Sequence, residues 1–374
     1  MRVVIAKKLL SSVGGSEAQA RALAKALRDR RHDVTLIGLR PAWRRPGIPP
    51  EVLSGPPGPV ELRDDGIRYL FIPTRGGAVG ATLDGLLPTS LVSSRDLGHA
   101  VAGAEVVHCI AREWAGPLER AARETGAAFV ETPLVHPGQL LAGEAQSDLS
   151  RYRRDEAVIA LTNWEADWYR IRGVESVHVT GIGPIIEWLP EVPMDPATVL
   201  FVGRKERYKG YDALRDAARI VWHSRPETRF VAIGQSSWTA RLRPRWRDER
   251  WLERGVVTED EKAEAFARAT IFAMPSVHEA FGHTYLEAWF AWRPVIAGDI
   301  PPIREVVRDG VDGFCVPQDP SAIARAIVAL LGDPKRARRM GESGRFRLEA
   351  KWTWPLVAER TERAYEAARE RLSR

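Results

Sequence analysis

TVLFVGRKERYKG, residues 198–210, runs from an apolar, β-branched stretch (Val199–Val202) through Gly203 into a charged turn that closes on Gly210. A buried strand that empties into a glycine-bearing turn before a helical pattern is one step of a parallel α/β sheet. The step recurs downstream in RFVAIG (229–234), TIFAMP (270–275) and PVIAG (294–298). Upstream the same reading applies to RVVIA (2–6), DVTLIG (33–38), IRYLFI (67–72), EVVHCI (105–110), AAFVET (127–132) and AVIALT (157–162), with helical stretches such as 17–30 and 117–125 between them. Their apolar continuity suits strands covered by helices on both faces. The predicted fold class is therefore α/β, with two doubly wound parallel sheets. The Pro-containing stretch 184–196 reads as the linker and hinge, giving domains at 1–183 and 184–353 and a C-terminal amphipathic helix at 354–374. Two such units predict a ligand cleft at the carboxyl ends of their strands. The Pro-rich segment 41–59 and the segment 76–85 read as loops.

The 374 residues, 44% hydrophobic and 28% charged, are ordinary for a globular chain of two domains. The longest apolar runs fall short of a bilayer span, and no leader is visible, so the expectation is a cytoplasmic protein. Cys109 and Cys315 lie in apolar strand-like runs and read as buried, reduced thiols; no Cys/His spacing suits a metal. A net charge of +6 favours anionic partners, although helix-borne arginines read mainly as solvated faces. The thirteen tryptophans show no repeat period. The basic-aromatic run Arg241–Arg247 reads as a solvated face, with contact to a membrane surface or an anionic acceptor left open; nucleic acid is not the expected partner.

Three constellations carry candidate chemistry. Gly14-Gly15-Ser16-Glu17 opens the first helix; it is either an anion site made of free backbone N–H groups or a plain turn capped by Ser16. Arg204 and Lys209, at a strand end and near a helix start, form either a diphosphate-binding pair or a solvated loop. In PSVHEAFGHTYLEA (275–288), Glu279 stands on the loop, where a carboxylate accepts hydrogen bonds from sugar hydroxyls. On this reading the backbone of Phe281, Gly282, His283 and Thr284 begins a helix and would face a phosphate, and Glu287 on the next turn would reach ribose hydroxyls; the alternative makes the two glutamates a cap and an exposed helix position. His136 follows a strand of the first half and, as a lone histidine beside Pro137, reads on its own as structural.

The Glu279–Glu287 spacing around Phe281-Gly282 resembles the signature of retaining GT-B glycosyltransferases, particularly glycosyltransferase family 4. VGRKERYKG resembles that family's phosphate-binding pair, PVIAGDIPPIREVVRDGVDGFCV (294–316) its continuation, and the N-terminal Gly-Gly-x-Glu its first turn. The resemblance implies a GT-B fold: two Rossmann-like domains, an interdomain cleft, and a C-terminal helix crossing back to the first domain. It also implies that Arg204 and Lys209 stabilise the departing nucleoside diphosphate, that Glu279 holds the donor sugar and Glu287 the ribose, and that His136 lines the reaction centre. Ala280 stands where the family commonly has Gly, His283 where a small apolar residue is usual, and Trp292-Arg293 where the lead into the Pro-Val pair contains Gly.

The implied activity is transfer from a nucleoside-diphosphate sugar to a sugar, lipid-linked or small-molecule acceptor. Retention of configuration rests on the resemblance alone. No Asp-x-Asp triplet for a divalent ion occurs in the chain, so no metal and no cofactor are expected. The competing readings are a sugar-nucleotide epimerase of similar scaffold and a non-catalytic nucleotide-sugar-binding protein. Peripheral contact with an inner membrane surface is compatible with the charge.

Overall fold

The computed structural model describes residues 1–11, 14–41, 43–44, 47–54, 58–75, 91–136, 143–236 and 248–374. The loop 76–85 and the run Arg241–Arg247 lie outside the described residues, as does part of 41–59. The chain divides into two compact units, Met1–Ile182 with Trp354–Arg374, and Gly183–Thr353.

The first unit is built on β1 (Arg2–Ala6), β2 (Asp33–Leu39), β3 (Val60–Asp64), β4 (Ile67–Ile72), β5 (Val106–Ile110), β6 (Ala128–Thr132), β7 (Ala157–Ala160) and β8 (Val177–Val179). They join in the order β3-β4-β2-β1-β5-β6-β7-β8. Neighbours are parallel except β3, which runs antiparallel to β4. The purely parallel sheet expected for this half is thus corrected to one with an antiparallel edge. Asp65 and Gly66, both at positive φ, turn β3 into β4 as a two-residue hairpin, and that Asp-Gly pair was the local signal for it. Two apolar layers cover the sheet. One includes Ile5, Leu36, Phe71 and Val130 with the first helix (Gly15–Asp29); the other includes Val4, Ile37, Val107 and Phe129 with the helix Ala115–Thr125.

The C-terminal helix Trp354–Leu372 belongs to this first unit. It buries Val357, Ala358, Thr361, Ala364, Tyr365 and Ala368, spaced to form one face, against the first helix and β6–β8. The Tyr365 hydroxyl is 2.8 Å from His108 Nδ1, and His108 Nε2 is 2.7 Å from Thr132 Oγ1. Full burial drives the His108 pKa down to about 3, so this imidazole is a neutral structural link.

The second unit is built on β9 (Thr198–Val202), β10 (Arg229–Ile233), β11 (Trp251–Arg254), β12 (Ile271–Met274), β13 (Val295–Gly298) and β14 (Gly313–Val316), in the order β11-β10-β9-β12-β13-β14. Every pair is parallel. The short edge strands β8 and β11, with polar residues among three or four positions, gave no run long enough to read in the sequence. Cys109 is buried, whereas Cys315 on β14 is only partly so; both are free thiols. Among the described residues no helix is long and apolar enough to cross a membrane.

Candidate functional site

Strand order reverses between β9 and β12, since β10 and β11 extend to one side and β13 and β14 to the other. The two loops leaving β9 and β12 therefore emerge side by side at the carboxyl edge, the position where open α/β sheets bind ligands. They are stitched together: Val277 N–H donates to the Tyr208 carbonyl at 2.8 Å, and the Gln318 amide donates to the Pro275 carbonyl at 2.9 Å. This adjacency joins two motifs that lie about seventy residues apart in sequence.

The β9 loop passes through a 3₁₀ turn, Arg207–Lys209, and Gly210 enters the helix Tyr211–Ser224. The Tyr208 ring on this turn lies close to two cations. The Arg204 guanidinium carbon is 5.4 Å and the Lys209 Nζ 5.2 Å from the ring centroid, and the Arg204 guanidinium donates to the Tyr208 hydroxyl. Burial pushes the phenol up to about 12 despite neighbouring Arg204, so it stays neutral and can accept that hydrogen bond. Lys209 reaches the other loop, where its Nζ lies 2.5 Å from Glu279 Oε1; the wholly buried Ser276 hydroxyl donates to the same oxygen at 3.0 Å. Arg204 remains largely exposed, with Glu206 3.7 Å away. Structure thus brings Arg204, Lys209 and Glu279 together around a tyrosine and a serine that had not been singled out, although both stand inside the two motifs.

Ser276 is held by a close backbone approach. A Cβ on Gly298, at the end of β13, would stand 1.7 Å from the Ser276 carbonyl oxygen, so only glycine fits. Gly282, at φ 89, caps the helix His283–Phe290; a Cβ there would collide with the Tyr285 ring at 2.5 Å. Phe281 is buried edge-on against Trp352, with centroids 5.3 Å apart, and Thr284 Oγ1 lies 3.6 Å from Met274 Sδ. His283 Nε2 is buried without a hydrogen-bond partner. Burial, then the charges of Lys262 and Lys209, lower this imidazole to about 3, so it is neutral across the physiological range.

Glu287 is buried, and Lys262 Nζ, from the helix Glu259–Arg268, donates to its Oε1 at 2.7 Å while also lying 2.7 Å from Glu259. Burial raises the Glu287 pKa; Lys262 and the Ile186 N–H oppose it. Lys262 lies 25 positions from Glu287, and nothing in its local sequence marked it.

Gly14, Gly15 and His136 belong to the first unit. Gly14 has φ 126, and Gly15 starts the first helix. The Glu17 carboxylate folds back over Gly14, with Ser16 Oγ donating to it at 3.0 Å and the buried Lys7 Nζ 3.9 Å away. This helix start thus carries an acidic group of its own chain. His136 is partly buried beyond β6. Among the described residues no group of three or more His, Cys, Asp or Glu side chains is placed to hold a metal.

Comparison with known proteins fits this geometry. The family described as Glycosyl transferase 4-like domain matches residues 14–184, and Glycosyl transferases group 1 matches residues 186–347. The D-inositol 3-phosphate glycosyltransferase of Streptomyces avermitilis is 28% identical over 292 residues, 69% of this chain and 62% of that protein. The alpha-maltose-1-phosphate synthase of Mycolicibacterium smegmatis is 31% identical over 244 residues, 56% of this chain and 62% of that protein. The chain thus aligns with under two thirds of the length of either relative. In fold it is similar to a sucrose-phosphate synthase from Thermosynechococcus elongatus, with TM-score 0.75, 19% identity and 98% of each chain covered. Anabaena HepE in complex with UDP and glucose gives TM-score 0.73 and 16% identity, covering 97% of this chain and 98% of that one. With two family matches end to end across both α/β units, the chain belongs to the family 4 glycosyltransferases of GT-B fold.

Proposed function

We propose that this chain transfers a glycosyl group from a nucleoside-diphosphate sugar to an acceptor, with retention of configuration and without a metal ion. The observation that carries the proposal is the cluster of Arg204, Lys209 and Glu279 around Tyr208 at the strand-order reversal of the second unit. When the anomeric C–O bond breaks, negative charge builds on the departing diphosphate and positive character on the sugar ring. Preorganised cations at the phosphates stabilise that change directly. Arg204 and Lys209 supply them, and the Gly282–Thr284 backbone at a helix start adds N–H groups. The acceptor oxygen bonds to the anomeric carbon on the face the phosphate leaves, and its proton passes to the departing phosphate oxygen. No side chain becomes covalently attached.

Glu279, already fixed by Lys209 and Ser276, positions the sugar hydroxyls; Glu287 takes the ribose, and His136 serves the reaction centre by family likeness. A uridine donor is the first to test, because HepE carries UDP and glucose. The acceptor class remains sugar, lipid-linked or small-molecule.

The test is a thermal-shift screen of nucleotide sugars, followed by donor turnover with and without a chelator, in wild type and Arg204→Ala. The expected loss in Arg204→Ala is about 100- to 1,000-fold in turnover. An Arg204→Ala protein with near wild-type turnover, or wild-type turnover abolished by the chelator, refutes the proposal as stated.

A further inference from the structure

The helix His283–Phe290 ends in a Schellman turn. Trp292 N–H donates to the Trp289 carbonyl at 2.9 Å, and Arg293 N–H donates to the Ala288 carbonyl at 2.8 Å. The residue that must turn left-handed is Trp292, at φ 62. Glycine is favoured there, and a bulky side chain costs the fold about tenfold in its folding equilibrium. Burial does little to offset that cost, because the indole is 43% exposed.

A second exposed aromatic is held against it. The helix Pro334–Lys351 closes on this turn through two glycines: a Cβ on Gly341 would stand 2.1 Å from the Trp292 carbonyl oxygen, and one on Gly344 2.1 Å from the Trp289 ring. That contact sets Phe346, 64% exposed, edge-on to Trp292 with centroids 6.1 Å apart. The Arg345 guanidinium lies 4.3 Å from the Phe290 centroid and 5.5 Å from that of Trp292.

The same helix carries seven basic and two acidic side chains. Both acidic ones are neutralised within it, Glu342 by Arg338 at 2.8 Å and Glu349 by Arg345 at 2.6 Å. Exposed Lys335 and Arg339 precede Phe346 by eleven and seven positions, which returns both to its side of the helix. Two adjoining exposed aromatics beside a cationic helix face match a lipid surface: rings at the depth of the acyl boundary, cations at the headgroups.

We infer that the face formed by Trp292, Phe346, Lys335 and Arg339 docks the second unit on an anionic bilayer. The test is co-flotation of the full chain with vesicles of equimolar phosphatidylglycerol and phosphatidylcholine, against vesicles of phosphatidylcholine alone. Wild type floats with the anionic vesicles, and salt weakens it. Trp292→Gly and Phe346→Ser each lower the partition coefficient about tenfold, since each removes one inserted ring. Lys335→Glu with Arg339→Glu lowers it by at least about fivefold per site. Donor hydrolysis is unchanged in all three, and the charge variant decides the matter should either aromatic variant misfold. The inference fails if wild type ignores anionic vesicles, or if all three variants float like wild type. It fails equally if sedimentation shows self-association, lost in these variants, without vesicle binding.

Discussion

Removing the Lys262 ammonium tests the buried pair beneath the candidate nucleotide site. Glu287 is 1% exposed and Lys262 14%, so little water remains to take over if the partner is lost. At 2.7 Å the attraction is about 6 kcal/mol with an effective dielectric constant near 20, before the cost of desolvating the ammonium is set against it. Breaking one side of such a pair typically costs about 3–5 kcal/mol, and the lower end applies here because the Ile186 N–H still serves Glu287. Lys262→Met is therefore expected to destabilise the second unit by about 3 kcal/mol at neutral pH, a fall of about 6–12 °C in its melting temperature. The loss has a defined pH dependence. Glu287 already has a raised pKa in the folded state, through burial, and without Lys262 it rises further. A carboxyl raised on folding contributes its stability below its unfolded pKa and loses it as pH climbs through the folded value. The deficit of Lys262→Met is thus small in acid and grows toward neutrality, and Lys262→Met with Glu287→Gln recovers most of it. Calorimetry and urea unfolding across pH measure both. A loss below about 1 kcal/mol, or one independent of pH, refutes the reasoning.

Gly298→Ala drives a methyl into the Ser276 carbonyl; the expected cost is about 1–3 kcal/mol of stability, with a larger proportional loss of turnover because Ser276 carries Glu279, measured as melting temperature beside kcat. In the first unit, the two carboxyl oxygens of buried Asp155 find no donor, its carboxyl faces Glu131, and Arg151 holds Glu131 through two contacts at 2.8 and 3.1 Å. Burial and the Glu131 charge raise Asp155, so stability declines as pH rises through its titration. Asp155→Asn supplies a permanent N–H donor and is expected to flatten that decline in a melting-temperature series.

The two sheets were legible because most of their central strands are largely apolar runs ending at a glycine or a polar turn, a local pattern. Thr198–Val202, Arg229–Ile233 and Val295–Gly298 stand within one residue of where the sequence placed them. The hairpin partner β3 escaped the reading although Asp65-Gly66 marks its turn: its residues follow a Pro-rich stretch and are mostly exposed, so the strand itself shows no apolar run, and its pairing with β4 defines it. The same division holds at the site. Arg204, Lys209, Glu279 and Glu287 could be picked out as residue types at motif spacings.

Sequence alone determined which groups carry charge and which segments must be buried, because both follow from side-chain chemistry over a few neighbouring positions. Who meets whom follows from the packing of distant segments: Lys209 closes on Glu279, Lys262 neutralises Glu287, and Arg204 and Lys209 both approach the Tyr208 ring. Those contacts depend on β9 and β12 becoming neighbours and on how deeply each group is removed from water. Neither quantity is written in any short stretch of residues.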